Sequence, residues 1–247
     1  MKKLLTAALL TSSLCAGFSS TVMAADTIRF AMEATYPPFE STNEKNEIVG
    51  FDVDLAKALC AEIKAECTFS NQAFDSLIPS LKFRRYDAAI SAMDITEERL
   101  KQVDFTKPYY DNAAVFIAQK GKFADAAGLQ GKRVGVQNGS THQTYINEQM
   151  KNLKSVPYGS YQNAVIDMKN GRIDAVFGDT AVIAEWLKQD ANLQPVGAPV
   201  TDQAYFGKGF GIAVNKGNTE LLNKLNTALD TLHANGTYQS IYNKWFK

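Results

Sequence analysis

The segment TIRFAMEATYPPFESTNEKNEIVGFDVDLAKALCAEIKAECTFS, residues 27–70, contains the first folding unit of the chain. A β-rich run at Thr27–Met32 predicts a strand, and the apolar spacing of residues 51–65 predicts a helix, for which Asp52 is the expected N-cap. Residues 68–70 predict a second strand. A strand, a helix and a strand in this order indicate an α/β unit with parallel strands.

The same alternation continues along the chain. Helix-like and strand-like segments follow one another at 74–84, 87–92, 132–136, 161–170, 173–177 and 180–188. Segments 81–90 and 168–177 can be laid over each other, because each passes from a helix into a strand. This weak repeat predicts an α/β protein of two lobes, each a mostly parallel sheet flanked by helices.

The chain is expected to pass between the lobes twice. No Pro-, Gly- or Ser-rich linker separates the two halves, and the strand-like runs 113–118 and 209–214 are candidates for the crossings. Residues 26–112 and 206–247 then form lobe 1, and residues 113–205 form lobe 2. Two short connections permit hinge closure of a cleft between the lobes.

The N-terminal residues have the features of an export signal. A basic pair precedes an apolar run at 4–10, which is too short to span a bilayer, and residues 22–24 supply the small residues needed for cleavage. Residues 1–24 are therefore expected to form a signal peptide that is cleaved near Ala24 or Ala25. The alternative is an N-terminal membrane anchor.

The composition argues against several partners. Lys+Arg 26 balance Asp+Glu 26, which disfavours a general nucleic-acid binder or a polybasic membrane binder. Three cysteines and two histidines are too few for a zinc site of four cysteines, although a carboxylate or mixed metal site stays open; we expect no metal and no cofactor. After loss of the signal, Cys60 and Cys67 remain, and export favours a disulfide between them over two reduced thiols.

Residues that follow the predicted strands are candidates for a site, because ligands of open α/β sheets bind beyond the carboxyl ends of the strands. These residues are Glu33, Tyr36, Ser91, Ala92, Asp94, Gln137, Thr141 and Asp179. The set includes no nucleophile with a base. The sequence also lacks G-x-x-x-x-G-K-[ST], G-x-S-x-G and a G-x-G-x-x-G after the first strand. We therefore expect a binding protein rather than an enzyme.

Arg99 and Asp179 are the most informative charges. With Thr96 as the N-cap, Arg99 stands at the third helical position, where the dipole disfavours a cation unless the cation is directed at an anion. Asp179 either accepts an ammonium group or caps the helix that follows it. An anion site and an ammonium acceptor on opposite lobes fit the zwitterionic head of an α-amino acid. The alternative for Arg99 is a surface ion pair with a neighbouring acid.

Other residues bear on the side chain of a ligand. Tyr36 and Phe74 can stack on a flat cation and Glu33 adds negative charge, which favours a cationic side chain. The alternatives are core packing for the two aromatics and a solvated carboxylate for Glu33. Asp94 either faces the ligand cation or caps a helix, and His142 is expected in a polar or surface position rather than in catalysis.

Five motifs occur in order along the mature chain: YPPFE at 36–40, GFDVDL at 50–55, FDSLIPSL at 74–81, DITEER at 94–99 and NGTY at 235–238. They resemble the polar amino-acid substrate-binding proteins of bacterial ABC importers, and the Cys60 and Cys67 pair matches the disulfide of the basic amino-acid binders. The likeness is greatest to the arginine-binding members. It implies the type II periplasmic-binding-protein fold and a location in the periplasm.

The resemblance also implies roles for matching positions. Arg99 would grip the α-carboxylate of the ligand together with Ser91 and Thr141, and Asp179 would take the α-ammonium group.

The ligand side chain would lie between Tyr36 and Phe74, with Glu33 toward its cationic end. Lysine- and histidine-type members carry serine at the positions of Ala92 and Asp94, whereas arginine-type members have Met-Asp at 93–94, as here. This difference favours arginine.

The expected function is that of a non-enzymatic periplasmic receptor, which closes on L-arginine and delivers it to the membrane permease of an ABC transporter on separate chains. A monomer is expected, without a nucleic-acid partner. The alternatives are lysine, ornithine or histidine as the ligand, a periplasmic dehydratase of cyclic acids on the same fold, and a ligand-binding module that signals through a partner.

Overall fold

The computed structural model describes residues 26–206 and 208–247, so the predicted signal peptide, residues 1–24, and its cleavage site lie outside the described residues. The strands are β1 Thr27–Met32, β2 Thr35–Tyr36, β3 Glu40–Thr42, β4 Ile48–Val49, β5 Glu66–Asn71, β6 Ala88–Ala89, β7 Val103–Phe105, β8 Ala114–Gln119, β9 Arg133–Gln137, β10 Lys154–Tyr158, β11 Ala175–Asp179, β12 Leu193–Val200 and β13 Ala213–Asn215. The helices are α1 Phe51–Glu62, α2 Leu77–Lys82, α3 Glu97–Leu100, α4 Thr141–Gln149, α5 Tyr161–Lys169, α6 Thr180–Gln189, α7 Thr219–Ala234 and α8 Thr237–Phe246.

Two five-stranded sheets share one plan. The first has the order β5-β1-β6-β13-β7, and the second has the order β10-β9-β11-β8-β12. In each sheet three parallel strands stand beside a fourth that is antiparallel to both of its neighbours, β13 in the first sheet and β8 in the second. The predicted α/β class is confirmed. The lobe boundaries at 112/113 and 205/206 stay a prediction.

The start of α1 differs from the sequence-based expectation. Gly50, not Asp52, occupies the N-cap position, so the expected capping role of Asp52 is wrong. Gly50 has φ 143, and a Cβ there would collide with the carbonyl of Phe39. Glycine adopts such a backbone without steric cost, so the helix begins one residue before Asp52. The carboxylate of Asp52 is instead buried beneath the loop that follows β6.

The C-terminal helices pack against α1. Trp245 Nε1 donates a hydrogen bond to Asp54 Oδ2 at 2.8 Å, and Tyr238 donates from its hydroxyl to the carbonyl of Tyr109 at 2.5 Å. The ring of Phe51 lies 5.1 Å from that of Phe246 between their centroids. Burial of such a ring contributes about 1.5–3 kcal/mol to stability. The helix of the first folding unit, α1, is therefore covered by the C-terminal helix α8.

Cys60 and Cys67 form the predicted disulfide, which joins the end of α1 to the start of β5.

Across residues 26–206 and 208–247, no helix has the length and apolar character that a membrane span requires. The same residues contain no group of three or more His, Cys, Asp and Glu side chains arranged for a metal ion.

Candidate functional site

Residues that follow strands of both sheets meet at one small cavity. From the first sheet come residues after β1 and β6, and from the second come residues after β9 and β11. Seven of the candidate residues selected from the sequence line this cavity: Tyr36, Phe74, Ala92, Asp94, Gln137, Thr141 and Asp179. The strand ends therefore bring together side chains that are far apart in the chain, as the topology of open α/β sheets requires.

Arg99 lines a larger cavity next to this one, and backbone contacts hold it there. Thr96 caps α3 by accepting a hydrogen bond from the Arg99 N–H at 3.2 Å, which places the guanidinium on the cleft side of the short helix. Nη1 donates to the carbonyl of Asp94 at 2.9 Å, Nη2 donates to the carbonyl of Gly139 at 3.2 Å, and the guanidinium carbon lies 5.4 Å from the centroid of Phe74. The residue is 8% exposed, so a surface ion pair is not its role.

The charge of Arg99 is only partly balanced. Burial lowers the pKa of its guanidinium, while the negative charges of Asp94 and Asp179 act in the opposite direction. Both of its hydrogen bonds described above go to neutral carbonyls, and a guanidinium has five N–H donors. The remaining donors suit an anion, since a carboxylate can accept two parallel bonds from a guanidinium.

Asp179 ends β11 and stands at the N-cap position of α6, but its side chain makes no capping hydrogen bond. The carboxylate turns into the cleft instead. It accepts a hydrogen bond from the Tyr36 hydroxyl at 2.5 Å and from Asn112 Nδ2 at 2.6 Å, and Nε2 of His142 lies 3.1 Å from Oδ1. Of the two roles considered from the sequence, this orientation favours an acceptor for a cationic group.

Asp94 is the second acid of the cleft and does not cap α3, since Thr96 does so. Its carboxylate accepts from the Thr141 hydroxyl at 2.6 Å and from Asn112 Nδ2 at 2.8 Å. Burial raises the pKa of Asp94 to about 6, and the charge of Asp179 acts in the same direction. Two neighbouring buried carboxyls therefore destabilise each other unless donors or a cation lie between them.

Asn112 supplies such donors, although it was not predicted from the sequence. Its side-chain nitrogen donates to Asp94 Oδ1 and to Asp179 Oδ1, one hydrogen to each, so that it bridges the two acids. It lies just before β8, where the chain passes from the first sheet to the second. The only available signal was an amide side chain at the expected crossing near residue 113.

Glu33 is buried rather than solvated. Its carboxylate accepts hydrogen bonds from the hydroxyl of Thr35 and, at 3.2 Å, from Nε2 of Gln137, which belongs to the second sheet. Burial raises the pKa of Glu33, and the two hydrogen bonds act against that rise. A cation brought to this carboxylate would restore the stabilisation that water supplies elsewhere.

The two aromatics selected from the sequence have different surroundings. Tyr36 stacks on Tyr161 with 5.3 Å between ring centroids while its hydroxyl reaches Asp179, so it combines core packing with a polar contact in the cleft. Phe74 lies over the guanidinium of Arg99 and also lines a larger cavity, of about 660 Å³, which shares Thr141 with the smaller one. Both rings are thus placed where a ligand can contact them.

Ser91 and Ala92 form the loop after β6. The Ser91 hydroxyl donates to Glu40 Oε1 at 2.7 Å and accepts from the Glu33 N–H at 3.0 Å, and Ser91 is not among the residues lining the small cavity. The Ala92 N–H donates to Asp52 Oδ2 at 2.9 Å. These polar groups of the loop therefore contact Glu40 and Asp52 beneath the cavity and do not face the cavity itself.

His142 is fully inside the protein. Its ring lies 5.3 Å from that of Phe177 and 5.2 Å from that of Phe206 between centroids, and its Nε2 faces Asp179. It follows Thr141 in the first turn of α4. The expected surface position is wrong, because the apolar rings enclose it, whereas its contact with Asp179 agrees with the polar position considered as the other possibility.

Known proteins resemble the chain over most of its length. A profile of the bacterial extracellular solute-binding proteins, family 3, matches residues 28–247. The putative ABC transporter arginine-binding protein 2 of Escherichia coli (strain K12) is 63% identical over 100% of both chains. The histidine-binding periplasmic protein of Salmonella typhimurium is 40% identical, with 100% of this chain and 97% of the relative covered.

Solved structures agree. A Salmonella typhimurium periplasmic binding protein with high arginine specificity superposes with a TM-score of 0.88 at 46% identity, covering 90% of this chain and 100% of the other. An ancestral arginine-binding protein bound to arginine gives a TM-score of 0.84 at 39% identity, covering 91% and 100%. The relatives carry names of binding proteins rather than of enzymes. From its profile, its relatives and its two-sheet architecture, the chain belongs to the bacterial extracellular solute-binding proteins of family 3.

Proposed function

We propose that this protein binds L-arginine in the cavity between its two sheets and delivers it to an ABC transporter. The observation that carries the proposal is the charge of the cleft, where three carboxyl groups, Glu33, Asp94 and Asp179, and one guanidinium, Arg99, are buried. An amino acid with a cationic side chain brings two positive charges and one negative charge. It therefore complements this arrangement better than a neutral or acidic amino acid does.

The α-amino acid head is assigned to Arg99 and Asp179. The unused N–H groups of Arg99 bind the α-carboxylate, and the first backbone N–H groups of α4, at Thr141, assist them. Ser91 contributes through the position of its loop, because its hydroxyl is engaged by Glu40. Asp179 binds the α-ammonium group, which either joins the Tyr36 hydroxyl at the carboxylate or replaces it.

The ligand side chain is assigned to Tyr36, Phe74 and Glu33. A planar guanidinium stacks on aromatic faces and donates several hydrogen bonds in fixed directions, which suits a buried carboxylate acceptor. Lysine and ornithine end in a compact ammonium group that stacks less well, and histidine is shorter. The relatives named for arginine support the first choice, and the histidine-binding relatives make histidine the main competitor.

Ligand binding is coupled to closure in this proposal. Arg99 follows β6 of the first sheet, whereas Asp179 ends β11 of the second, so a ligand held by both residues links the two halves. Residues 26–112 with 206–247 and residues 113–205 act as the moving lobes. A ligand that contacts both lobes only when they meet favours the closed state by its differential affinity.

The cellular context follows from the relatives. The Mannheimia haemolytica relative is named an arginine-binding periplasmic protein and is 51% identical, with 87% of this chain and 89% of the relative covered. We place this protein in the periplasm after removal of residues 1–24, as a monomer that meets the membrane subunits of its permease there. Size-exclusion chromatography with light scattering tests the monomer, and mass spectrometry of the exported chain tests the cleavage site.

Titration calorimetry of the exported protein with the common L-amino acids tests the proposed ligand. We expect arginine to bind more tightly than lysine, ornithine or histidine, and acidic and apolar amino acids not to bind. Tight binding of an acidic or apolar amino acid without binding of arginine would overturn the proposal.

A further inference from the structure

Two carboxyl groups lie buried beneath the candidate site without a cation between them. Glu40 at the start of β3 and Asp52 in the first turn of α1 are both 0% exposed. Their hydrogen-bond partners among the described residues are Ser91, Ala92 and Tyr109, all uncharged. A buried carboxylate without a cation is costly, so the pair requires an explanation.

The backbone brings these two groups together. The Asp52 N–H donates to the carbonyl of Phe39, the residue before Glu40, at 2.9 Å. Glu40 and Asp52 also hold consecutive residues of one loop, since Ser91 donates to the first and Ala92 donates to the second. The two acids thus lie side by side under residues 91 and 92.

A hydrogen bond between the two acids requires a proton. Glu40 Oε2 and Asp52 Oδ1 are buried and have no hydrogen-bond partner elsewhere among the described residues, while the two carboxyl groups lie within hydrogen-bonding reach of each other. Ionised carboxylates only accept hydrogen bonds, so one of the two must be protonated. Asp52 Oδ2 already accepts from the Ala92 N–H and, at 2.9 Å, from the Tyr109 hydroxyl, which favours the ionised form on Asp52 and the proton on Glu40.

The surrounding charges agree with a retained proton. Burial raises the pKa of Glu40 well above its usual value, and the charges of Asp52 and Glu33 raise it further. Burial raises the pKa of Asp52 to about 7. The other titratable groups that face Asp52 are the hydroxyls of Tyr109 and Tyr238, whose pKa values are themselves raised.

We propose that Glu40 and Asp52 share one proton and that this acid pair positions loop 91–94 for ligand binding. Ala92 has φ 42, a left-handed backbone that a residue with a side chain rarely adopts, and its N–H bond to Asp52 holds it there. Two residues later the carbonyl of Asp94 anchors Arg99. The pair thereby sets the position of the guanidinium that grips the ligand carboxylate.

The presence of the proton shared by Glu40 and Asp52 can be tested in the absence of any ligand. Infrared spectroscopy of the wild-type protein at neutral pH should show the C=O stretching band of a buried protonated carboxylic acid, and Glu40→Gln should remove that band. If the wild type shows no such band, or if Glu40→Gln leaves it unchanged, the shared proton is disproved. The result of this measurement does not depend on whether arginine is the ligand.

The positioning role is tested by two substitutions at one residue. Glutamine keeps an amide N–H that donates to Asp52 and an oxygen that accepts from Ser91, whereas alanine keeps neither. We expect Glu40→Gln to change the arginine dissociation constant and the Ala92 amide hydrogen-exchange rate by less than about threefold, and Glu40→Ala to raise both by about tenfold or more.

The ligand part of this test rests on the proposed function, and the hydrogen-exchange part does not. If the wild type fails to bind arginine, the proposed ligand is wrong, while Ala92 exchange still decides the positioning role. Equal affinity and equal exchange in Glu40→Ala and the wild type would overturn that role. If Glu40→Ala does not fold, a Glu40→Gln variant with tenfold weaker binding or faster Ala92 exchange would overturn it as well.

Discussion

The hydroxyl of Tyr36 lies 2.5 Å from Oδ2 of Asp179, although 143 residues separate them in the chain. The contact joins β2 to the end of β11 and therefore connects the small sheet of β2, β3 and β4 to the second five-stranded sheet. It also engages the carboxylate that we assign to the α-ammonium group of the ligand. The hydroxyl and the ring of Tyr36 consequently have separable effects on binding.

Replacement of Tyr36 distinguishes these effects. Tyr36→Phe removes the hydroxyl that competes for Asp179 but keeps the stacking ring, so arginine should bind at least as tightly as to the wild type. Tyr36→Ala removes the ring as well, and the dissociation constant should rise by about tenfold or more. Titration calorimetry measures both. Equal losses in the two variants would show that the hydroxyl, not the ring, contacts the ligand.

Arg99→Ala should abolish binding of every α-amino acid, because it leaves the ligand carboxylate without its cation. Loss of one partner of a buried charge pair costs about 2–5 kcal/mol, which corresponds to at least about 30-fold in the dissociation constant. Arg172→Ala is the matched control, since Arg172 forms an exposed ion pair with Asp167. Unchanged calorimetric titrations in Arg99→Ala would contradict the assignment.

Glu33→Gln should change selectivity more than general affinity. The amide keeps the size of Glu33 but removes the negative charge, so arginine binding should weaken by about tenfold while glutamine and histidine change little. Competition titrations with these three ligands measure the ratio, and Glu62→Gln on the exposed face of α1 is the control. An equal loss for all three ligands would argue against a role in side-chain recognition.

Asn112→Ala should destabilise the folded protein by about 1–3 kcal/mol, because it leaves the buried carboxyls of Asp94 and Asp179 without a shared donor. It should also raise the pKa of Asp94 above the value of about 6 found here. Urea unfolding measures the first effect, and Asn163→Ala on the exposed face of α5 is the control. A variant as stable as the wild type would exclude the bridging role.

The buried acids predict a specific dependence of stability on pH. The pKa of Asp52 is about 7 in the folded protein and near 4 in an unfolded chain. Its favourable contribution is therefore present below about pH 4 and is lost as the pH rises toward 7. Asp52→Asn should make the fall in unfolding free energy between pH 4 and 7 shallower, and the slope that remains comes from Glu33, Glu40 and Asp94, whose pKa values are also raised.

Asp87 provides a control, because its pKa is shifted in the opposite direction to that of Asp52. The ion pair with Arg29 lowers the pKa of Asp87, so its stabilisation is present above about pH 4 and is lost as the pH falls below its folded pKa. Asp87→Asn should therefore leave the slope between pH 4 and 7 nearly unchanged and flatten the curve only at lower pH. Urea unfolding across this pH range compares both variants with the wild type, and parallel curves for the Asp52 variant would contradict the prediction.

The regular elements follow from local patterns, because strands such as β1 and helices such as α6 contain enough residues to show periodicity. The small sheet of β2, β3 and β4 was not predicted, since strands of two or three residues show no such pattern. Strand β6 is also shorter than expected, because the chain turns away at Ser91 and Ala92.

Part of the candidate site was recognised because Arg99 and Asp179 are charged residues beside helix starts, and because Arg99 lies in the motif at residues 94–99. Asn112 was missed because its partners lie 18 and 67 residues away in the sequence. Asp52 was assigned to a helix cap because only tertiary packing shows that its carboxylate faces Glu40 and Ala92. Side chains whose role depends on partners that are distant in sequence thus cannot be identified from local sequence patterns.

The two backbone carbonyls that hold Arg99 have a consequence for the entropy of binding. A free arginine side chain has about 2 kcal/mol of rotamer entropy to lose when it is ordered. The bonds to Asp94 and Gly139 and the ring of Phe74 have already ordered it, so the incoming carboxylate does not bear that cost. Arg99→Lys would keep the charge but lose this preorganisation, and a flexible ammonium would have to be immobilised by each ligand it meets.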